Sequence, residues 1–310
     1  KEPFTLYQTF IQDDLGETLE RIANNGWTEF YAGKTAGMIE ACMLRTDGLI
    51  TKEDLQNYRA VEREPITFKY RRYEVHSMPP ASSGGIAIAG ILNQLENIQF
   101  DSLNYHSAQH IHYVTEAERR VYADRAEFMG DIDYVPVPIY RLISDKYAQV
   151  RWDTVDSLKA SESKDIIHGD IPFSYQESDE TTHYSIVDQW GNAVSVTTTI
   201  NGWFGNGIVV DGAGFLLNNE MDDFSAKPGV PNAYGLIGNA ANAIEPGKRM
   251  LSSMSPTIVE TPKGELYLVL GSPGGSTIIT TVAQIIMNVI DFGMNMEDAV
   301  ETPRFHHQWL

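Results

Sequence analysis

The chain has 310 residues, of which 42% are apolar, and a formal net charge of −19 at neutral pH. Its length allows one large domain or two. Its negative net charge argues against a nucleic-acid-binding surface, because such surfaces are rich in lysine and arginine. Its single cysteine, Cys42, excludes an internal disulfide and is expected to be a small buried residue. No apolar run reaches the roughly 18 residues that a membrane span requires.

The first half of the chain is predicted to be mainly helical. Apolar residues recur at helical spacing over 15–24, where Asp13 or Asp14 is available as the N-terminal cap. Thr51 lies three residues before Asp54, the pattern of a capping box, and therefore predicts the start of another helix. The same reasoning predicts helices over 35–44, 85–95 and 108–129, and the aromatic and β-branched residues of 68–78 predict a strand.

The second half is predicted to begin with a linker. Residues 155–180 are rich in acids and serines, which is typical of an exposed and mobile connection. Strands are then predicted near 183–188, 193–200, 214–218, 256–260 and 265–270, followed by helices over 275–290 and 295–302. This order predicts the α+β class, with helices on either side of packed antiparallel sheets.

The most informative segment is the predicted hairpin directly after this linker. If Asp188 and Asn192 flank a three-residue loop with a left-handed Gly191, Thr181 lies opposite Thr199. A hydroxyl at the first residue of a strand has the geometry of a nucleophile whose own α-amine is the base, once the preceding peptide bond is cut. On the hairpin alone, an ordinary structural pair of threonines is the simpler interpretation, since short motifs give many false positives.

Further motifs in a fixed order favour the nucleophile. The sequence from 181 to the end resembles the γ-glutamyltransferase (glutathione hydrolase) family, and weaker landmarks extend the resemblance over essentially the whole chain. The downstream motifs are 181–185 (TTHYS), 217–224 (LNNEMDDF), 251–256 (LSSMSP), 271–276 (GSPGGS) and 303–309 (PRFHHQW); the upstream ones are 48–51 (GLIT), 78–85 (MPPASSGG) and 122–125 (YADR).

The resemblance implies a fold, a division of the chain and a maturation step. The expected fold is the αββα sandwich of the N-terminal-nucleophile hydrolases, with a helical large-subunit portion. Residues 1–180 would be the later part of the large subunit and residues 181–310 most of the small subunit. A cut between Glu180 and Thr181 would convert one precursor into a heterodimer. Family members also extend beyond both ends of this sequence, and the part before Lys1 would supply an arginine to the substrate.

The resemblance also implies the catalytic residues. Thr181 would be the nucleophile, and Thr199 would support it during both cleavage and catalysis. Gly274 and Gly275, between a strand and a helix, would offer backbone amides to the oxyanion of the tetrahedral intermediate. His183 is expected to be structural, because an α-amine with a pKa of about 7.7–8.0 needs no histidine partner.

The remaining site residues are expected to bind the substrate. Asn201, Glu220 and Asp223 would hold its α-amino group, although without the resemblance they are an ordinary strand end and a polar loop. Ser252 and Ser253, at the end of a basic loop with Lys248 and Arg249, would bind the α-carboxylate. Tyr234, within the long segment 228–249, would close over Asn201 as a lid.

No metal or other cofactor is expected at this site. His110 and His112 are two positions apart on a predicted helix and therefore do not share a face. His306 and His307 are adjacent, and no cysteine or paired carboxylate completes a set with them.

The resulting hypothesis is an enzyme that cleaves γ-glutamyl amides such as glutathione through an ester on Thr181. It would transfer the γ-glutamyl group to water, amino acids or peptides, in the periplasm or outside the cell. The first alternative is a glutaryl or cephalosporin-type acylase of the same fold. The second is an uncleaved, inactive paralogue that acts as a binding module.

Overall fold

The computed structural model describes residues 4–100, 105–169, 181–225, 227 and 240–310. By its internal packing the chain divides into two compact units: residues 1–62 with 203–219, and residues 63–202 with 220–310. The predicted division at residue 181 concerns cleavage of the backbone rather than packing, and it stays a prediction.

The first unit contains four consecutive helices in the part that begins at residue 4. They are α1 (Asp13–Asn25), α2 (Trp27–Ala32), α3 (Lys34–Thr46) and α4 (Lys52–Asn57). The cap predicted for α1 was wrong: Gln12 is the N-cap, while Asp13 and Asp14 lie in the first turn, where the helix dipole favours negative charge. The capping box of Thr51 and Asp54 is confirmed. The core of this unit is formed by Ile39, Cys42, Met43, Val210 and Ala213, so the cysteine is buried as expected.

The segment 203–219 belongs to this first unit. The strand predicted over 214–218 was wrong, because pairing is limited to a single bridge between Val209 and Leu216. Gly212 and Gly214, with φ angles of +70° and +75°, turn the chain inside the bridge, and Gly205 and Gly207, at +53° and +77°, turn it again on the outer side, so the ladder does not extend.

Among its described residues, the second unit contains two antiparallel sheets. Its strands are β1 (Ile66–Tyr70), β2 (Tyr73–Ser77), β3 (Thr182–Val187), β4 (Ala193–Thr198), β5 (Thr257–Glu260) and β6 (Leu266–Leu270). One sheet has the order β1-β2-β5-β6, and the other is the β3–β4 hairpin. The single strand predicted over 68–78 was wrong, since Arg71 has a φ of +55° and turns the chain back into a hairpin.

Helices cover the four-stranded sheet through the main core of the second unit. They are α5 (Gly84–Leu95), α6 (Ala108–Phe128), α7 (Ile139–Leu142), α8 (Asp145–Trp152), α9 (Thr277–Ile290) and α10 (Met296–Glu301). The apolar helix α5 is buried along its whole length, among side chains of β1, α6 and α9. The hairpin packs on the other sheet through Ser185 and Ser195, whose hydroxyls donate to the carbonyls of Val269 and Leu270. The predicted α+β class is confirmed, with a helical layer, a sheet and a second sheet in succession.

Where the structure describes the predicted linker, over residues 155–169, every residue is exposed or half-buried, as expected. Ser161 donates its backbone N–H to Glu116, and the indole of Trp309 donates to the carbonyls of Ser163 and Ile166. These bonds join the polar segment to the rest of the second unit, and its mobility stays a prediction. Residues 170–180 lie outside the described ranges. Among the helices that the structure describes, none is both long and apolar enough to cross a bilayer.

Candidate active site

A pocket in the second unit brings together residues from four parts of the sequence. Most of its lining was predicted from the sequence. The lining residues are Thr181, Thr199, Asn201, Asp223, Ser252, Ser253, Met254, Gly275 and Ile278.

The two threonines reach this pocket because of the hairpin register. The structure has the predicted pairing, with Thr182 opposite Thr198, and the predicted left-handed Gly191, whose φ is +87°. Thr181 directly precedes β3 and Thr199 directly follows β4, so both lie at the open end of the hairpin. The hairpin register alone therefore places the two threonines beside one pocket, and their catalytic roles stay predictions.

His183 is held within the hairpin. Its Nδ1 lies 2.9 Å from Oγ1 of Thr197, and its Nε2 lies 3.0 Å from Oγ of Ser185. Burial lowers the pKa of the imidazole, which favours the neutral ring. Both ring nitrogens are thus engaged by hydroxyls, an arrangement that suits a structural role.

Asn201 connects the hairpin to the acidic turn. It is buried and has a φ of +66°, a conformation that asparagine tolerates better than most residues. Its backbone N–H donates to Oγ1 of Thr199 across 2.8 Å. Its side-chain Nδ2 donates to Oδ1 of Asp223 across 3.0 Å. The side-chain amide of Asn201 therefore orients the buried Asp223 carboxylate, and its backbone N–H orients the Thr199 hydroxyl, beside the same pocket.

The acidic turn Glu220–Asp223 is a short 3₁₀ helix. Asp223 is 5% exposed, and Nδ2 of Asn242 donates to its carbonyl across 2.6 Å. Glu220 is half-buried and does not line the pocket itself, although its carboxyl is hydrogen-bonded to Asp223. Burial raises the pKa of Glu220, and the bond to Asp223 acts in the opposite direction. A cation bound at Asp223 would therefore find a second carboxyl directly behind it.

The Ser252–Ser253 loop is held by the segment that carries the MPPASSGG motif. The carbonyl of Ser252 accepts from the backbone N–H of Ser83 across 2.7 Å and from Oγ of Ser82 across 2.9 Å. The N–H of Ser252 donates to the carbonyl of Ala81, and Arg125 donates from Nε to Oγ of Ser83. Sequence reasoning used this motif only as a landmark. Its two adjacent serines before a pair of glycines were the available signal.

The basic residues of the same loop have other partners. Nζ of Lys248 lies 2.7 Å from the Glu245 carboxylate, and the Arg249 guanidinium lies 3.6 Å from that of Asp133. Neither basic residue lines the pocket. The positive charge expected here from the sequence is thus directed to acidic side chains of the protein.

The glycine turn lies between β6 and α9. Gly275 lines the pocket and Gly274 precedes it, with φ angles of +54° and +119°. A Cβ added to Gly274 would lie 2.5 Å from Oγ1 of Thr277, so a side chain would meet both strain and a clash. The carbonyls of the two glycines accept the first N–H groups of α9, from Thr277 and Ile278.

A polar cluster that the sequence did not predict bonds to the start of α9, directly after this turn. The hydroxyl of Tyr122 donates to the carbonyl of Ser276, and Oγ of Ser276 donates to Oε1 of Gln308 across 2.9 Å. His306 bonds through Nδ1 to Oγ1 of Thr280. The motifs YADR and PRFHHQW therefore meet at the start of α9. Their separation in the sequence gave no sign of this contact.

Two predicted site residues lie outside the described ranges. These are Glu180, on the predicted cleavage bond, and Tyr234, the predicted lid residue. Both assignments stay predictions. Among the described lining residues, Asp223 is the one that carries a carboxylate, and none is histidine or cysteine. This lining offers hydroxyl, amide and backbone groups suited to an organic substrate.

Comparison with known proteins gives one family. A family model described as Gamma-glutamyltranspeptidase matches residues 1–310. The glutathione hydrolase proenzyme of Escherichia coli (strain K12) is 54% identical over 310 residues, covering 100% of this chain and 53% of that protein. The glutathione hydrolase proenzyme of Pseudomonas aeruginosa is 49% identical over 305 residues, covering 98% and 54%.

The similarity extends to a solved structure. The crystal structure of cephalosporin acylase from Bacillus halodurans superposes with a TM-score of 0.77 at 29% identity, covering 94% of this chain and 50% of that one. The chain spans about half the length of the curated relatives it matches.

Proposed function

The chain belongs to the gamma-glutamyltranspeptidase family, and from that premise we propose that it cleaves glutathione and other γ-glutamyl amides. Its fold is the N-terminal-nucleophile hydrolase sandwich expected from the resemblance. One observation carries the proposal. Thr181 and Thr199 share a pocket with the bonded pair Asn201 and Asp223, so a nucleophile lies beside a site for a cation.

The nucleophile is generated by cleavage before Thr181. The Thr181 hydroxyl attacks the carbonyl carbon of Glu180, the C–N bond breaks, and the acyl group moves to oxygen as an ester. Water then hydrolyses the ester, which leaves a carboxylate on Glu180 and a free α-amine on Thr181. The two fragments remain associated as the large and small subunits of one precursor.

The freed α-amine then serves as the general base. With a pKa of about 7.7–8.0 in an unperturbed chain, a useful fraction is unprotonated near neutrality. It takes the proton of the Thr181 hydroxyl as the oxygen attacks the γ-carbonyl of the substrate. The amine leaving group departs with a proton, and a γ-glutamyl ester remains on Thr181. Water or the amine of an amino acid or peptide then displaces the threonine oxygen.

Substrate recognition follows from charge. A γ-glutamyl group carries an ammonium and a carboxylate on its α-carbon, at the end far from the scissile bond. Asp223, supported by Glu220 and oriented by Asn201, binds the ammonium. Ser252 and Ser253 bind the carboxylate through hydroxyl and backbone donors. The backbone amides of Gly274 and Gly275 stabilise the oxyanion, and Tyr234 covers the bound substrate.

The acylase is a second candidate because a cephalosporin acylase shares the fold at 29% identity. A glutaryl group has no α-ammonium, so it would bring no positive charge to the buried Asp223 carboxylate, whereas a γ-glutamyl group would. Opposite charges in a partly buried site attract more strongly than in water. The bonded pair Asn201 and Asp223 therefore favours the γ-glutamyl substrate. The periplasm or the cell exterior is the compartment we propose, on family grounds.

The test uses the protein at its natural length. We expect its mass under denaturing conditions to resolve into two fragments, the smaller beginning at Thr181, in parallel with release of nitroaniline from γ-glutamyl-p-nitroanilide. T181A should remain one chain without activity, whereas T182A, changed at the exposed neighbouring position, should mature normally. Abundant hydrolysis by T181A would contradict the mechanism. Faster cleavage of glutaryl-p-nitroanilide by the wild type would favour the acylase.

A further inference from the structure

Three side chains outside the pocket converge on one face of the four-stranded sheet. Glu74 and His76 project from β2 on the face opposite the buried Val75, and Glu260 projects from β5. One imidazole nitrogen and one oxygen from each carboxylate lie within 4.8 Å of one another. We propose that Glu74, His76 and Glu260 bind a divalent transition-metal ion, for which Zn²⁺ is the best chemical match.

The distances are those of atoms that can share a cation. Nε2 of His76 lies 3.6 Å from Oε1 of Glu74 and 3.9 Å from Oε2 of Glu260. Both separations are too long for hydrogen bonds. Atoms that bind Zn²⁺ at about 2.0–2.2 Å lie about 3.3–3.6 Å apart in a tetrahedron. The two separations from His76 would need to contract by at most a few tenths of an ångström, and the oxygens of Glu74 and Glu260, which lie within 4.8 Å of each other, would have to approach as the ion binds.

The sheet itself brings the two negative charges together. Glu74 and Glu260 are direct cross-strand partners in the antiparallel ladder of β2 and β5. Like charges at such positions repel and destabilise the pairing. The two carboxylates are about 40% exposed, with side-chain accessibilities of 42% and 38%, so water alone screens them only in part. A divalent ion between them converts this repulsion into a link between the two strands.

Thr67 supplies an independent indication, because it fixes the histidine. Thr67 lies on β1, directly opposite His76 of β2, and its Oγ1 is 3.0 Å from Nδ1 of that histidine. When Nδ1 carries the proton and donates to this hydroxyl, the lone pair of Nε2 is directed to the two carboxylates. Metal-binding histidines are characteristically oriented by such a bond at the other nitrogen. The arrangement thus has both the donors and the support of a metal site.

The donor atoms, one imidazole nitrogen and two carboxylate oxygens, indicate which class of metal ion would bind. One imidazole and two carboxylates suit Zn²⁺ and related transition metals, whereas Ca²⁺ and Mg²⁺ prefer oxygen alone. Water would complete the coordination. Since none of the three residues lines the pocket, the ion would stabilise the sheet and take no part in the proposed reaction. The inference therefore stands apart from the proposed function.

The experiment is an isothermal calorimetric titration of zinc into chelator-treated protein of natural length. We expect one saturable site in the wild type that is lost in H76A and in the double variant E74Q/E260Q. T67V keeps all three ligands and should bind about 10–100-fold more weakly, as expected for loss of a supporting hydrogen bond. H112A is the matched control, because Nε2 of that half-buried histidine bonds to the carbonyl of Asp156; it should bind as the wild type does.

A spectroscopic readout keeps the proposal testable if one variant folds poorly. Co²⁺ in the wild type should give the intense visible bands of four-coordinate cobalt, and E260Q, with an unchanged side-chain size, should lose them. Zinc should also raise the unfolding temperature of the wild type but not of E260Q. Equal zinc stoichiometry and affinity in the wild type, H76A and E260Q would overturn the proposal, since binding would then lie elsewhere.

Discussion

Asn201 donates its side-chain amide to Oδ1 of Asp223 across 3.0 Å, so a residue that follows the hairpin orients a carboxylate 22 positions away. Both residues are buried and both line the pocket. Asn201 thus orients the Asp223 carboxylate beside the pocket, where we propose that it binds the substrate ammonium. This relationship makes the charge of Asp223 a direct test of substrate class.

D223N should lower kcat/KM for γ-glutamyl-p-nitroanilide by about 30-fold or more, since losing one partner of a buried charge pair costs at least about 2 kcal/mol. The substitution keeps the side-chain size and removes the charge. The measurement is steady-state hydrolysis of γ-glutamyl and glutaryl anilides. D222N is the matched control, because the adjacent Asp222 is exposed and does not line the pocket. An equal loss on both substrates would argue against an ammonium site.

Gly274 provides a test of the proposed oxyanion hole. G274A adds a Cβ that would lie 2.5 Å from Oγ1 of Thr277 at a φ of +119°, so the turn must shift. Displacement of one oxyanion donor should lower kcat about 10²–10³-fold. Measurement of kcat and KM separates this effect from substrate binding, which should change little.

The control for backbone strain is G264A in the turn between β5 and β6. Gly264 also has a positive φ, +75°, but nothing lies within 4 Å of its added Cβ. We expect G264A to lose some stability and to keep its kcat. Comparable losses of kcat in the two variants would show that strain, rather than the position of Gly274, is responsible.

Tyr122 tests the support behind the glycine turn. Y122F removes the hydroxyl that donates to the buried carbonyl of Ser276, which should cost about 1–3 kcal/mol of stability. As a positioning residue, Tyr122 should also affect kcat, by about 2–10-fold, with KM nearly constant.

The comparison for this prediction is Y113F. Tyr113 also belongs to α6, but its hydroxyl accepts a bond from Gln109 at an exposed position. Y113F should leave kcat unchanged. If Y122F lowered stability and left kcat unchanged, its role would be structural only.

Glu118 should make stability depend on pH. It is fully buried in α6, and burial raises its pKa well above the usual value near 4.5, against a weaker contribution from a backbone bond of His307. The folded protein therefore keeps a proton that the unfolded chain has lost. The stabilisation is complete below the unfolded pKa and decreases as pH rises toward the folded one, by at most about 1.4 kcal/mol per pH unit.

Chemical unfolding of the wild type and E118Q across this pH range measures the effect. The amide has no proton to lose, so the difference between the two unfolding free energies should shift in favour of E118Q as pH rises. E20Q, at an exposed position of α1, controls for the loss of one negative charge. A difference that does not vary with pH would show that Glu118 is not protonated in the fold.

Residue patterns over a few neighbouring positions predicted many helices and strands correctly. The wrong predictions also arose within short segments, at turns. The capping box at Thr51 and the register of β3 with β4 depend on neighbouring positions, so they could be derived directly. The strand over 68–78 was wrong because the turn at Arg71 uses a residue without the usual turn signature. The strand over 214–218 was wrong because apolar composition does not show that Gly212 and Gly214 both turn.

The sequence by itself determined the longest helices, the hairpin with its two terminal threonines, and the family to which the motifs belong, whereas it gave no sign of the short helices α2, α7 and α8. Only the tertiary structure decided that Ser83 holds Ser252 across 169 positions, and that Tyr122 supports Ser276 across 154. It also directed Lys248 and Arg249 to acidic partners and brought Glu260 beside Glu74 and His76. The reason is physical: periodicity fixes which side of a helix or strand a residue faces, whereas its partners depend on how distant segments pack.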